Sequence, residues 1–541
     1  MKKLILGNII TIDSSNPKAQ AIVVNNGKIE YVGNKEEAIK LCGSEKEVLD
    51  YSNNYIYPGF IEPHCHGVFA GYRAVGQANL PVDRIDYDEY SQIIKKYIED
   101  YPNKQYYLIA GWNEDERELD HTFLDDIYNE KPVIMNSAGG HSCLLNTKAI
   151  ELLKVNKDVV KEYGVERVHV DKDGNPTGYI CEEAAVKLLK ILAPNYEEAI
   201  EYALAWQDIA LSKGYTACGD AGAELIYTDS PKVYADLEKQ NKLKLRTYSY
   251  SLIQDNEENA SKAVEEILEK KKQLDGEYFK TIGAKVFLDG VSEARTSWTV
   301  DDYDDEKGYT GVRRFNNEER MINLINECSK YNLPVHAHSE GDGATRFFLN
   351  CIKKSQETTH NLDQRNVVAH LHYVQKEDFE NMAKTGSIAA VAPLWTAKFP
   401  GAYEKEVASF GQKRADSSYP IKSFIDAGAT IVFHSDYPIS PILDISRSIY
   451  KASLRALPEK ELGGMATQRG KEECISRIDS LKALTINGAY CLKQEKIMGS
   501  IEKNKLANFA VFDSNFLDDD LETIIKAKHI ATIVDGNVVT K

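Results

Sequence analysis

The sequence of 541 residues predicts an α/β protein: an eight-stranded parallel (β/α)8 barrel, a small β domain shared by both chain ends, and an inserted lobe. Three observations predict this. Through the middle of the chain, short apolar strands alternate with helical patterns, as in a parallel sheet wound from βα units. Eight such strands can be counted, the number that closes a barrel. Both ends carry alternating β-branched runs interrupted by turn dipeptides, the pattern of small antiparallel sheets.

Taken in order, residues 1–55 contain LILGNIITI and AIVVNNGKIEYVG, with a hairpin signal at Asn25 to Gly27. The last residues repeat the pattern in ANFAVFD and HIATIVDGNVVTK, where Asp535-Gly536 marks another hairpin. Pairing the two ends removes exposed strand edges, so residues 1–55 and 490–541 are read as one β domain. The barrel takes residues 56–489. Its strands are expected at 55–63, 215–222, 245–253, 282–290, 333–341, 366–374, 387–394 and 430–438. The gap of about 150 residues between the first and second far exceeds a normal connection, and residues 70–190 are assigned to an inserted lobe.

Composition narrows the function. With 66 Lys+Arg against 83 Asp+Glu the formal charge is −17, which repels phosphate backbones and anionic membranes. Nine cysteines at irregular spacings, without a C-x-x-C pair, make neither a disulfide framework nor a thiolate zinc site. No run approaches the roughly 18 apolar residues of a membrane span, and the N-terminus lacks a signal-peptide pattern. The expectation is a cytoplasmic enzyme acting on a small molecule, with a homodimer as its possible assembly.

Of 12 histidines, seven lie in or just after proposed barrel strands: His64, His66, His336, His338, His370, His372 and His434. Residues at the C-terminal ends of barrel strands converge on one mouth, and the i, i+2 imidazoles of HCH at 64–66 share a strand face. Glu62 and Cys65 are read as facing away. A single buried histidine is more often a satisfied core residue than a ligand, but three H-x-H pairs would leave many nitrogens seeking partners, each costing about 1–3 kcal/mol if unsatisfied. A divalent cation resolves that cost, and imidazoles with a carboxylate form the usual shell of a catalytic site. Asp436, at the end of the last strand, and Lys285, in the fourth, complete a plausible shell. Lys285 can ligate only when deprotonated or converted to a carbamate; the blander reading pairs it with Asp289 or Asp220.

These residues resemble the amidohydrolase superfamily, in particular its amidohydrolase-3 or YtcJ-like branch, which includes N-substituted formamide deformylases. YPGFIEPHCHG (57–67), GWNEDE (111–116), GGHSCLLNTKAI (139–150), DGNPTGYICEEA (173–184), KVFLDGVSEARTS (285–297), HSEGD (338–342), VVAHLHYV (367–374) and HSDYP (434–438) carry the resemblance in family order. It implies a metal-dependent barrel beside a β-sandwich made by both termini. It also implies that His64 and His66 hold the more buried metal, Lys285 bridges two metals as a carboxylated side chain, His338 and His370 hold the second metal, and Asp436 is ligand and proton shuttle. The spacing leaves His336 and His372 equally able to replace His338 and His370. One or two ions fit, zinc first, with manganese or iron as alternatives. Departures from the pattern are Glu340, His434 and Tyr437 beside the site, and Asn504 and Asn508 in the β domain.

The implied reaction is attack of metal-bound hydroxide on a C–N bond of a small amide, an N-formyl or N-acyl compound, or a cyclic imide-like substrate. Asp436 relays the proton, and His141 assists the developing oxyanion. Trp112, Glu182, Arg295 and Trp298 are expected to bind substrate, Arg295 through a two-pronged carboxylate contact. The alternatives are deamination of a cyclic amidine and a non-catalytic binding protein of the same descent.

Overall fold

A computed structural model describes residues 2–44, 46–81, 86–112, 119–138, 142–189, 192–253 and 259–540. The chain divides into two compact units, Met1–Gly67 with Gln207–Lys541, and Val68–Trp206.

The larger unit holds the expected barrel. Its strands are Phe60–Cys65, Tyr215–Ala221, Arg246–Leu252, Phe279–Phe287, Val335–Ser339, Val367–His370, Ile388–Val391 and Thr430–Phe433, hydrogen-bonded in that order and all parallel. They are buried along nearly their whole length because both faces of such a strand are covered. VVAH and IAAV are buried at every position. Among the described residues, no strand ladder joins the first strand to the eighth. The seam is closed by the Glu62 carboxyl, whose two oxygens accept the backbone N–H of His64 (3.2 Å) and of Ser435 (3.0 Å), and by His66 N–H to Tyr437 O (2.9 Å). The terminal segment Ile486–Cys491 contributes Ala489 to a core shared with Ile61, Ala217 and Tyr250.

In the same unit, strands from both chain ends form one seven-stranded sheet. Lys46–Pro58 runs parallel to Lys2–Ile10 on one side and antiparallel to Phe509–Phe512 on the other. Ile5, Ile22, Ile56, Phe509 and Ile533 make its core. All nine cysteines are unpaired.

The smaller unit is built on a six-stranded mixed sheet with a core on each face. None of the described helices is long and apolar enough to cross a membrane.

Candidate metal centre

Four of the proposed ligands meet at the C-terminal mouth of the barrel. The Asp436 Oδ1 lies 3.3 Å from His64 Nε2 and 3.2 Å from His66 Nε2, and ligand atoms of His64, His370 and Asp436 fall within 4.8 Å of one another. Yet His64 Nε2, both nitrogens of His370 and Asp436 Oδ1 are buried with no hydrogen-bond partner. The donor atoms converge on a shared space and do not satisfy each other. Burying that many polar atoms unpaired is costly, and a cation at their centre removes the cost. The residues therefore fit the metal that the resemblance implies.

Local backbone explains how they converge. His336 and His338 pair in register with Val367 and Ala369, so strand alternation would turn His370 to the other side. Instead His370 adopts φ 81° and Leu371 φ 52°, and the imidazole comes 4.9 Å from the His64 ring and 4.4 Å from the His338 ring. Asp436 is likewise left-handed, at φ 56°. Left-handed backbone is unfavourable for side chains of this bulk and gathers at functional sites.

Asp289 holds His338. Its Oδ1 faces His338 Nδ1 (3.0 Å) and accepts Glu340 N–H (3.1 Å), while Oδ2 accepts the N–H groups of Gly341 (2.8 Å) and Trp298 (3.1 Å). With Nδ1 taken, His338 keeps Nε2 free, the arrangement by which an outer carboxylate orients a ligating imidazole. Gly341 is required there, since a Cβ would stand 1.9 Å from the Trp298 carbonyl oxygen.

Lys285 is fully buried and its Nζ has no hydrogen-bond partner. Neither expected partner bonds it: Asp289 faces His338, and Asp220 accepts Tyr234 OH (3.0 Å) and Gly67 N–H (3.2 Å) on Oδ2, its buried Oδ1 being left without a partner. Burial lowers the lysine to about 7, against a smaller opposing pull from Asp436, so the free amine is accessible near neutrality. Burial, reinforced by Lys285, also holds His64 and His336 well below the usual histidine range, and burial lowers His434 to about 4. Burial works against ionised Asp436, but the His66 contact and the surrounding imidazoles overcome it and keep the carboxyl well below its usual range.

The H-x-H ambiguity takes different forms on the two strands. His336 Nε2 is 2.8 Å from His64 Nδ1, so it touches the cluster from below, while His338 reaches it beside His370. His372 lies in a separate network: Nδ1 faces Ser292 Oγ (2.7 Å), Nε2 faces Glu406 Oε1 (2.9 Å), and the ring is stacked between Tyr373 and Tyr419. Glu340 Oε2 accepts Ser292 Oγ–H (2.7 Å), and Arg469 grips both oxygens of Glu406 (3.1 and 2.8 Å).

The remaining expected residues make contacts of their own. Arg295 is ion-paired with Asp305 (2.8 Å) and Glu306 (2.9 Å). Trp298 packs on Phe347, under the Arg313 guanidinium. Trp112 is a core residue of the smaller unit and Glu182 begins its helix Glu182–Leu189. His141 lies outside the described residues. Three residues were missed. Glu62, expected to face away, has the same parity as His64, and its buried carboxyl ties the two motifs; burial raises it to about 8. Asp289 was considered only as a lysine partner. Trp395, half-buried after the seventh strand, stacks over His370 at 5.8 Å with its edge toward His434; its only signal was its place just past a strand end.

A nearly closed parallel barrel with a buried imidazole–carboxylate cluster at the strand ends defines a barrel protein with a candidate cation centre at its mouth. Residues 47–540 match the model of the amidohydrolase family; the chain belongs to that family. It is similar to the N-substituted formamide deformylase of Arthrobacter pascens, 24% identical over 558 residues, covering 98% of this chain and 97% of that protein. It is equally similar to Protein LONG AFTER FAR-RED 3 of Arabidopsis thaliana, 24% identical over 542 residues, covering 98% and 90%. Among solved structures, an uncharacterized metal-dependent hydrolase from Pyrococcus horikoshii OT3 superposes with a TM-score of 0.76 at 21% identity, covering 96% of this chain and 99% of that one.

Proposed function

We propose that this protein hydrolyses a C–N bond other than a peptide bond, in a small amide, N-formyl or N-acyl compound or cyclic imide-like substrate. The observation that carries the reading is the set of buried donor atoms without partners around Asp436. His64, His66, His338, His370 and Asp436 would hold a divalent cation, zinc first among the candidates, which supplies an acidified water and polarises the substrate carbonyl.

Lys285 joins the shell by adding CO2 at its free amine: the nitrogen lone pair forms the N–C bond, a proton leaves, and a carbamate oxygen replaces a group that would repel a cation. Asp436, kept ionised, accepts the proton of the attacking water on its carboxylate and returns it to the leaving nitrogen. Trp395, beside His370, walls the pocket and keeps bulk water from the reacting carbon. Similarity to a formamide deformylase supports the C–N class. The test is metal analysis of protein purified without chelator, then assay against formamides, acyl amides and cyclic ureides. One or two equivalents of zinc, manganese or iron with hydrolysis in the panel is expected; no bound metal refutes the reading, and release of ammonia from ring amidines alone redirects it to deamination.

A further inference from the structure

We propose that Arg314 binds a carboxylate of the substrate, so that the molecules cleaved are acids; this rests on the hydrolase reading above. Lys285 and Phe287 are two apart on one strand and share its face. The Phe287 ring, beyond Lys285 along the strand, is 5.0 Å from Lys285 Nζ and 5.4 Å from the His338 ring. The Arg314 guanidinium lies over the same ring, 5.8 Å from its centre. A single aromatic side chain therefore separates an exposed guanidinium from the candidate metal centre. The Arg314 backbone is fixed there by N–H to Leu288 O (2.9 Å).

Among the described residues, Arg314 forms no ion pair. In a chain of formal charge −17 an arginine beside so many acids would ordinarily find one. The acids around this mouth are committed elsewhere: Asp289 to four donors, Glu340 to Ser292, Asp305 and Glu306 to Arg295. Arg295, the carboxylate binder expected from sequence, is thereby neutralised. Arg314 offers the planar fork that matches a carboxylate with two parallel hydrogen bonds, and its place over an aromatic face limits the freedom lost on binding. Long-range repulsion from the acidic surface is screened beyond about 8–10 Å at physiological salt, so the local cation governs. Arg313 is also without an ion pair among the described residues, but it stacks on Trp298 at 4.9 Å, away from Phe287.

The test uses the metal-loaded, full-length protein and matched pairs: N-formyl and N-acetyl derivatives of phenylalanine, leucine and glycine, both enantiomers where they exist, against their C-terminal amides. The acids are expected to be preferred by about tenfold or more in kcat/KM, through KM. Arg314→Gln should bring the acid-to-amide ratio near one, Arg314→Lys should restore part of it, and Arg313→Gln should leave it. Equal cleavage of acids and amides, or a preference that survives Arg314→Gln, overturns the proposal. A second arm is independent of turnover: the ketomethylene isostere of N-acetylphenylalanine, titrated calorimetrically into wild type and Arg314→Gln, should bind about tenfold more weakly to the variant. Equal affinities, or no binding to wild type, count against Arg314. Cleavage of uncharged formamides alone refutes the carboxylate and leaves hydrolysis standing. Arg314-dependent binding without cleavage of any C–N bond does the reverse.

Discussion

Two buried imidazole–carboxylate clusters stand at the strand ends of one barrel, built from the same residue types and finished in opposite ways. Around His372 the ring and its neighbours pair with one another: Glu406 and Glu340 face the ring, Arg469 grips Glu406, and Ser292 and Ser297 donate to Glu340. Burial opposes a charged His372, but the two carboxylates overcome it and lift the ring to about 9. Around Asp436 the donors are left without partners, and burial holds the His64 and His370 imidazoles well below the usual histidine range. A buried network that satisfies itself ties loops together; one that does not is waiting for something to bind.

The sharpest way to break the comparison is at Asp436. Asp436→Asn should lower turnover by about 10³-fold or more, the scale of a lost general acid–base group, while thermal unfolding stays near wild type; near-normal rates would remove the aspartate from the proton relay. Next comes Lys285→Ala, expected to reduce bound metal by about 10–100-fold in affinity, with short carboxylic acids restoring part of it. Unchanged stoichiometry by elemental analysis would return Lys285 to a purely structural place.

Glu406→Ala should do the opposite of both. Removing one partner of a buried pair typically costs about 3–5 kcal/mol, so denaturant unfolding should show a large loss with metal stoichiometry retained. The smallest effect is in pH. In the metal-free protein His434, at about 4 when folded against an ordinary value near 6.5, binds its proton more readily when unfolded, so its contribution is lost as pH falls from 6.5 through 4. His372, raised to about 9, contributes fully below 6.5 and loses that contribution as pH rises through 9. Unfolding free energies should therefore decline on both sides of neutrality, and His372→Phe should flatten only the alkaline side.

Most of the barrel was legible because its strands are short β-forming runs separated by helical patterns, and six of the eight fall within their expected spans; Phe60–Cys65 runs two residues past its span and Phe279–Phe287 begins three residues before its own. The imidazole cluster was legible for the same reason, as H-x-H at strand ends. What the period of two could not convey is the left-handed backbone at His370 and Leu371, which breaks alternation where it matters. Nor could it show which carboxylate answers which base. Asp289 serves His338 from a strand away, Glu406 reaches His372 from a helix 34 residues on, and Asp305 and Glu306 claim the arginine expected to meet substrate. Such pairings depend on loop paths, which carry little periodic signal.

The shared terminal sheet has a consequence during synthesis. Strand Lys46–Pro58 needs Phe509–Phe512 to cover one of its edges, and that partner leaves the ribosome roughly 450 residues later, about half a minute to a minute and a half at ordinary elongation rates. For that interval the nascent chain carries a bare, partly apolar ribbon that any neighbouring polypeptide could zip onto. Folding helpers should meet this protein early, and a premature stop codon in its last stretch should yield aggregates and not a shortened enzyme.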